Sequence, residues 1–265
     1  MLTTISERDF SRYQALLYQQ AGIRLGAEKK ALLCGRLAKR LRQRGMASYE
    51  DYYSLIVRED PAELQTAIDL LTTNETYFFR EPKHFEFLSR RLAAAKPSAG
   101  LRVWSAACSS GEEPYSIAMV LAEALGDAAW EIVATDISTR VLERARTGHY
   151  PIERAKGIPQ RYLAAYCLKG TGVHMGTLLV EKKLRQRVAF RHLNLLELPS
   201  DLGSFDIVFL RNVLIYFDVP TKRQVVESVA ARLKPGGYLL IGHSESLHGI
   251  TDVLAGEAPA TYRKP

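Results

Sequence analysis

The chain has 265 residues, 47% of them hydrophobic and 25% charged, with a net charge of +7. That length holds one large domain and a small one, and that balance belongs to a globular protein in water. The apolar runs fall far short of the roughly 20 residues that span a bilayer, and the polar opening MLTTISERDF is no signal peptide, so a cytoplasmic location is expected.

The first 95 residues read as helices. Phe10, Tyr13 and Leu17 share one helical face before Gly22, and Leu33, Leu37 and Leu41 repeat every four residues before Gly45. Between Arg24 and Arg44 stand eight basic residues and one acid, Glu28, an excess equal to that of the whole chain. Such a stripe either faces an acidic partner or is a solvated helix face. Ser48 with Asp51 resembles a capping box, and Asp60-Pro61 is a cap and first-turn pair ahead of Leu64, Ile68 and Leu71. A further helix is expected over residues 82–95.

Near Pro97 the texture changes. Short apolar runs at 101–105, 131–135, 205–210 and 238–241 alternate with helical stretches at 114–125, 138–146 and 220–233. This alternation predicts an α/β fold, a doubly wound parallel sheet whose ligand lies beyond the carboxyl ends of the strands. The expected division is a helical domain over 1–95 and a sheet domain over 96–265. One stretch departs from the pattern, with a polar helix at 159–166, the turn Gly170-Thr171-Gly172, and alternating runs at 177–182 and 187–192. These two runs are expected to form a small antiparallel insertion over about 150–193.

The loop after the first strand reads Ser105-Ala106-Ala107-Cys108-Ser109-Ser110-Gly111-Glu112-Glu113-Pro114. Its small residues let a ligand approach the backbone at a helix start. It is not the GxGxxG dinucleotide turn, because two glutamates occupy the place a pyrophosphate would take. Carboxylates there suit a cationic ligand such as S-adenosylmethionine, with its ammonium and sulfonium. Asp136 closes the second strand, where an acid grips a ribose diol or else caps the next helix. Cys34, Cys108 and Cys167 are scattered and argue for reduced thiols. The histidines show no ligand spacing, His243 and His248 are unsupported, and no metal is expected.

Six segments occur in order: TNETYFFRE (73–81), VWSAACSSGEEPYSIAM (103–119), ATDIS (134–138), NLLE (194–197), LRNVLIYF (210–217) and KPGGYLLIGHSES (234–246). Over essentially the whole chain they resemble the CheR-type chemotaxis receptor methyltransferases. The resemblance implies a Rossmann-like methyltransferase sheet with an all-helical N-terminal domain and a β insertion. It implies methyl transfer from S-adenosylmethionine to glutamate side chains of chemoreceptor cytoplasmic domains, giving methyl esters and S-adenosylhomocysteine during adaptation.

By the same resemblance Asn74, Thr76 and Arg80 are the helical domain's share of the site. Glu113 holds the cofactor's amino group, with Glu112 a less certain neighbour, and Asp136 holds the ribose. Asn194 and Leu195 lie on the adenine side, Arg211 and Asn212 flank the methionine portion, and Arg80 and Tyr216 lie nearest the transferring methyl. Arg80 is otherwise a domain-interface salt bridge, Tyr216 a core aromatic, and His243 and Ser244 only close the pocket. The expected partners are receptors, including a receptor C-terminal peptide at the insertion, with no nucleic acid, no embedding in a membrane, and a monomeric enzyme. A nucleic-acid amino-methyltransferase would carry Asn/Asp-Pro-Pro-Tyr/Phe where this chain has Arg211-Asn212-Val213-Leu214. A non-enzymatic scaffold would have lost Arg80, Glu113 or Asp136.

Overall fold

The computed structural model describes residues 4–58, 60–94 and 100–265. Four helices come first: α1 (Glu7–Ala21), α2 (Lys30–Gln43), α3 (Tyr49–Arg58) and α4 (Pro61–Leu71). Their ends follow from local chemistry. The Ser6 hydroxyl accepts the Asp9 N–H at the start of α1, which stops at Gly22 in the left-handed region (φ 70°). Asp60 caps α4 by accepting the Glu63 N–H, with Pro61 in the first turn. The predicted stripes meet in one core of Phe10, Tyr13, Leu17, Leu33, Leu37 and Leu41, joined by Tyr52 and Ile56 from α3.

Much of the basic stripe turns out to be internal. Arg40 grips the buried Glu63 through Nε and Nη2 at 2.7 and 2.5 Å, and the Tyr52 hydroxyl donates to the same carboxylate. The Arg40 hydrogen bonds hold the Glu63 carboxyl below its ordinary range. Arg36 donates to the Leu71 and Thr72 carbonyls and the Thr73 hydroxyl, and Arg44 pairs with Asp60. Periodicity cannot separate a solvated cation from one that reaches a neighbouring helix. Lys39 and Arg42 remain exposed.

The expected boundary at residues 95–96 lies outside the described residues, yet the packing changes core earlier. Helix α5 (Lys83–Ala94) carries Phe85, Leu88 and Leu92 into the sheet's core and packs on α6 (Glu112–Leu125). By packing, α5 belongs with the sheet's core rather than with the core of the first four helices.

Seven strands form the main sheet: β1 (Leu101–Ala106), β2 (Trp130–Asp136), β6 (Val188–His192), β7 (Phe205–Leu210), β8 (Leu233–Ile241), β9 (Ala255–Ala258) and β10 (Thr261–Arg263). Their order is β6-β2-β1-β7-β8-β10-β9, with β10 antiparallel to both of its neighbours. Winding outward in both directions from β1 puts the reversal point beside its C-terminal end, as expected. Alternate side chains feed two cores. Val103, Ile132, Ile207 and Leu240 face α5 and α6, while Trp104, Val133, Val208 and Leu239 face α10 (Val219–Ala231).

The insertion departs from its expected composition. Its sheet has the order β3-β5-β4, built from His149–Pro151, Thr177–Val180 and Cys167–Lys169. The run at 187–192, expected to be its second strand, instead pairs in parallel with β2, Ile132 opposite Val188 through Asp136 opposite His192. The outer edge of β2 has N–H and C=O groups that need a ladder partner. A short helical turn, α9 (Lys182–Arg185), anchored by buried Leu184, carries the chain across to it. The expected polar helix is α8 (Gln160–Tyr166).

Candidate active site

A cavity of about 630 Å³ opens at the C-terminal ends of β1 and β2, between the sheet and the helices α1, α2 and α4. All ten predicted site residues line it. Asn74, Thr76 and Arg80 come from the segment between α4 and α5, and Glu113 and Asp136 from the sheet's switch point. Asn194 and Leu195 follow β6, and Arg211, Asn212 and Tyr216 follow β7.

The loop after β1 reaches the cavity by unusual backbone. Ala107, Ser109 and Gly111 all have positive φ, at 68°, 50° and 94°. At Gly111 a Cβ would lie 2.8 Å from the Tyr150 hydroxyl and 2.9 Å from Ala145 Cβ, so both conformation and space require glycine there. This turn brings the Ser109 N–H to Asp136 Oδ2 at 2.8 Å, while the Ser138 N–H reaches Oδ1 at 2.9 Å. Asp136 thus steadies the next helix and still lines the cavity. Burial pushes its carboxyl from an ordinary 3.8 up to about 6, against those backbone donors.

Glu113 accepts from the Ser105 hydroxyl at 2.6 Å and from Arg211 Nη1 at 2.9 Å. Burial raises its carboxyl, with Arg211 pulling the other way. Glu112 does not join it. That side chain is fully buried and held by Ser110 and Arg154, off the cavity wall. Successive residues at a helix start point in different directions, which adjacency in sequence conceals.

Arg211 is the electrostatic hub. Its side chain is 1% exposed and clamps Glu113 through Nη1. Its Nη2 donates to Glu81 at 3.0 Å and to the Arg80 carbonyl. Asn212, at φ 56°, donates its side-chain amide to Glu81 Oε1 at 3.1 Å. Glu245 accepts the backbone N–H groups of Asn212, Gly242 and Ile215, fixing the loop that presents Asn212 and Tyr216. Glu81 and Glu245 were missed as site residues, although both lie inside the quoted segments. Their signal was an acid flanking a motif, and only the fold shows what each one holds.

The remaining residues divide by how firmly they are held. Asn194 donates to the Gln20 carbonyl at 2.7 Å and so ties α1 to the sheet. Asn74 gives its carbonyl to the Ser109 hydroxyl, and the Thr76 carbonyl accepts from Arg154. Arg80 forms no ion pair among the described residues, and its Nη1 donates to the Glu75 carbonyl at 3.0 Å beside the Tyr77 ring. Tyr216 lines the cavity and also packs partly against the α10 side of the core. His243 and Ser244 are exposed and do not line the cavity.

The fold does bring histidines together where spacing did not. Glu81, His84 and His243 each offer one donor atom within 4.8 Å of the others. His84 is buried, neither ring nitrogen has a hydrogen-bond partner among the described residues, and burial drives its pKa down to about 3, so the ring is neutral. The Glu81 oxygens are already held by Arg211 and Asn212.

The fold and this site define a class. A doubly wound sheet with a carboxylate lining the cavity at its switch-point turn and an acid closing the neighbouring strand is the architecture of a S-adenosylmethionine-dependent methyltransferase. Residues 74–261 match the family model described as CheR methyltransferase, SAM binding domain, and residues 8–72 match CheR methyltransferase, all-alpha domain. The chain is similar to chemotaxis protein methyltransferase 2 of Pseudomonas aeruginosa, 45% identical over 248 residues, covering 91% of this chain and 87% of that protein. It is 44% identical to the chemotaxis protein methyltransferase of Escherichia coli over 246 residues, covering 91% and 85%. With that of Salmonella typhimurium it shares 42% over 250 residues, covering 93% and 86%. The chain belongs to the CheR methyltransferase family. Among the described residues no helix is long and apolar enough to cross a membrane.

Proposed function

We propose that the cavity binds S-adenosylmethionine along the β1–β2–β7 edge and methylates glutamate carboxylates of chemoreceptor cytoplasmic domains. The observation that carries this reading is the division of charge in one cavity. Two carboxylates, Glu113 and Asp136, sit at the switch point, while Arg80 faces the same space with no carboxylate partner among the described residues. Glu113, neutralised on one side by Arg211, suits the cofactor's ammonium, and Asp136 suits the ribose diol. Asn194 and Leu195 border the adenine side, and Arg211 and Asn212 the methionine side. Asn74 and Thr76 close the cavity from the segment between α4 and α5.

When bound, S-adenosylmethionine supplies an electrophilic methyl on sulfur. A glutamate acceptor, with a pKa near 4.3, is already an anion at neutral pH, so no group has to remove a proton from it. The protein's task is therefore to aim one carboxylate oxygen and to exclude water. Arg80 orients the acceptor through its guanidinium fork, and Tyr216 lines the same space. Tandem mass spectrometry of a receptor cytoplasmic fragment after reaction tests this reading. Methyl groups mapped to glutamate side chains support it, and methyl groups on lysine or arginine alone refute it.

Cofactor affinity should follow the ionisation of Asp136. Its folded pKa lies above the ordinary value, so the folded protein takes up this proton as pH falls through about 6, when an unfolded chain would not until about 3.8. The charged form that accepts the ribose hydroxyls is thus present above about pH 6 and lost below it. Titration calorimetry with S-adenosylhomocysteine should show affinity falling about tenfold per pH unit below that point. In Asp136→Ala the affinity should be lower by roughly 1.5–3 kcal/mol at neutral pH, with this pH dependence gone.

The insertion is read as a docking site for a receptor C-terminal peptide. β4 is an edge strand, with Leu168 half exposed, and the turn beyond it presents Val173 and Met175 to solvent. These features support strand addition, in which backbone hydrogen bonds give affinity and side-chain contacts give selectivity. Tethering would raise the local enzyme concentration near the methylation sites. Gly170 lies against the His174 carbonyl, leaving no room for a Cβ. Gly170→Val should therefore abolish peptide binding and leave methylation of a tailless fragment intact. If no receptor tail binds the parent protein, the insertion serves only the fold.

A further inference from the structure

We infer that a second hollow, bordered by Arg36, Arg140, Arg144 and Arg154, is an anion subsite that receives a neighbouring carboxylate of the substrate while the target glutamate sits in the main cavity. The hollow measures about 310 Å³ and shares Arg36, Thr72 and Asn74 with the main cavity, so the two are contiguous. The proposal rests on the reading that the main cavity takes a glutamate side chain.

The charges in this hollow are only partly matched from within. Among the described residues Arg154 is the one of the four in an ion pair, through Nη1 to Glu112 at 2.9 Å. Arg36 directs its donors at two backbone carbonyls and a hydroxyl, all neutral. The Arg140 guanidinium donates to the Asp69 carbonyl rather than to its carboxylate. That carboxylate is occupied by Thr139, Gln65 and the Arg140 backbone N–H. Arg144 is exposed, and its field, like that of Arg154, bears on the buried Glu112 carboxylate. The positive field of Arg140 bears on Arg36, adding to the burial that lowers Arg36's affinity for its proton. Arg36 and Arg140, each held at this hollow by neutral acceptors, repel one another, and an anion seated between them relieves that repulsion.

The chemistry of the neighbouring cavity selects that anion. Guanidinium forks match carboxylates, and on a helix side chains three or four residues apart lie about 5–6 Å from one another at Cβ. A glutamate-bearing helix with one carboxylate beside Arg80 therefore carries its flanking acids toward Arg36 and Arg140. The hollow becomes a determinant of which glutamates are methylated.

The test uses the full-length protein with the Arg140→Glu/Arg144→Glu double substitution. Its substrate is a chemoreceptor cytoplasmic fragment whose flanking acids are either intact or replaced by glutamine. On the intact fragment the double variant should raise KM about tenfold or more, with kcat and S-adenosylhomocysteine affinity within about twofold of the parent. On the glutamine-flanked fragment the parent should already show the raised KM, and the variant should add nothing. Lysines at the flanking positions should recover the variant. An unchanged KM, an equal rise on both fragments, or a parallel loss of S-adenosylhomocysteine affinity overturns the subsite. Methyl ester formed by the parent upholds the underlying reading whatever the variant does, and no ester from the parent overturns both.

Discussion

Arg80→Ala should bind S-adenosylhomocysteine within about twofold of the parent, yet turn over about a hundredfold more slowly. The guanidinium is partly exposed, lines the cavity, and among the described residues is held only by the Glu75 carbonyl and the Tyr77 ring. A side chain so lightly held contributes little to the fold, so its loss falls on the step that aims the acceptor. Arg80→Lys keeps the charge but not the fork, and should recover only part of the rate. Equal losses in turnover and cofactor affinity would make Arg80 a cofactor ligand instead. Unchanged turnover would remove it from the site.

Arg211→Met should fail through stability. Its side chain is 1% exposed and is the shared cation of Glu81 and Glu113. Replacing it leaves two largely buried carboxylates without their counter-charge, a change that costs about 3–5 kcal/mol. Burial raises the Glu113 carboxyl even with Arg211 in place, so without it Glu113 should titrate higher still. Denaturant unfolding should show the loss at neutral pH and a smaller loss in mild acid, where Glu113 takes up a proton. A loss of the same size at both pH values would mean that packing, not charge, sets the effect.

Most of the fold was legible because its elements are long and periodic. The leucine spacing in α2 and the apolar runs of β1, β2 and β7 leave little room for another reading, and Asp60-Pro61 marks the start of α4. The small antiparallel insertion was expected, but its strand membership was misread because two of its strands, His149–Pro151 and Cys167–Lys169, are three residues long and mostly exposed. The alternating run at 187–192 drew attention instead, and alternation does not reveal which sheet a strand joins. The C-terminal pair of β9 and β10 was likewise too short and polar to register. At the site, the ten residues read from the sequence share one cavity. What stayed hidden was the support behind them. Glu81 and Glu245 act by gripping an arginine, an amide and backbone N–H groups brought from thirty or more residues away, and no local spacing encodes such contacts. The basic stripe misled for the same reason, since the partner of Arg40 is Glu63 on another helix.

The most direct test of the central claim follows the methyl group itself. The protein is incubated with methyl-labelled S-adenosylmethionine and a chemoreceptor cytoplasmic fragment, and the recovered fragment is treated with alkali. Label should appear on the fragment, leave as methanol in alkali, and vanish when the acceptor glutamates are replaced by glutamine. Label that withstands alkali, or that persists on the glutamine-substituted fragment, would contradict a glutamate methyl ester as the product.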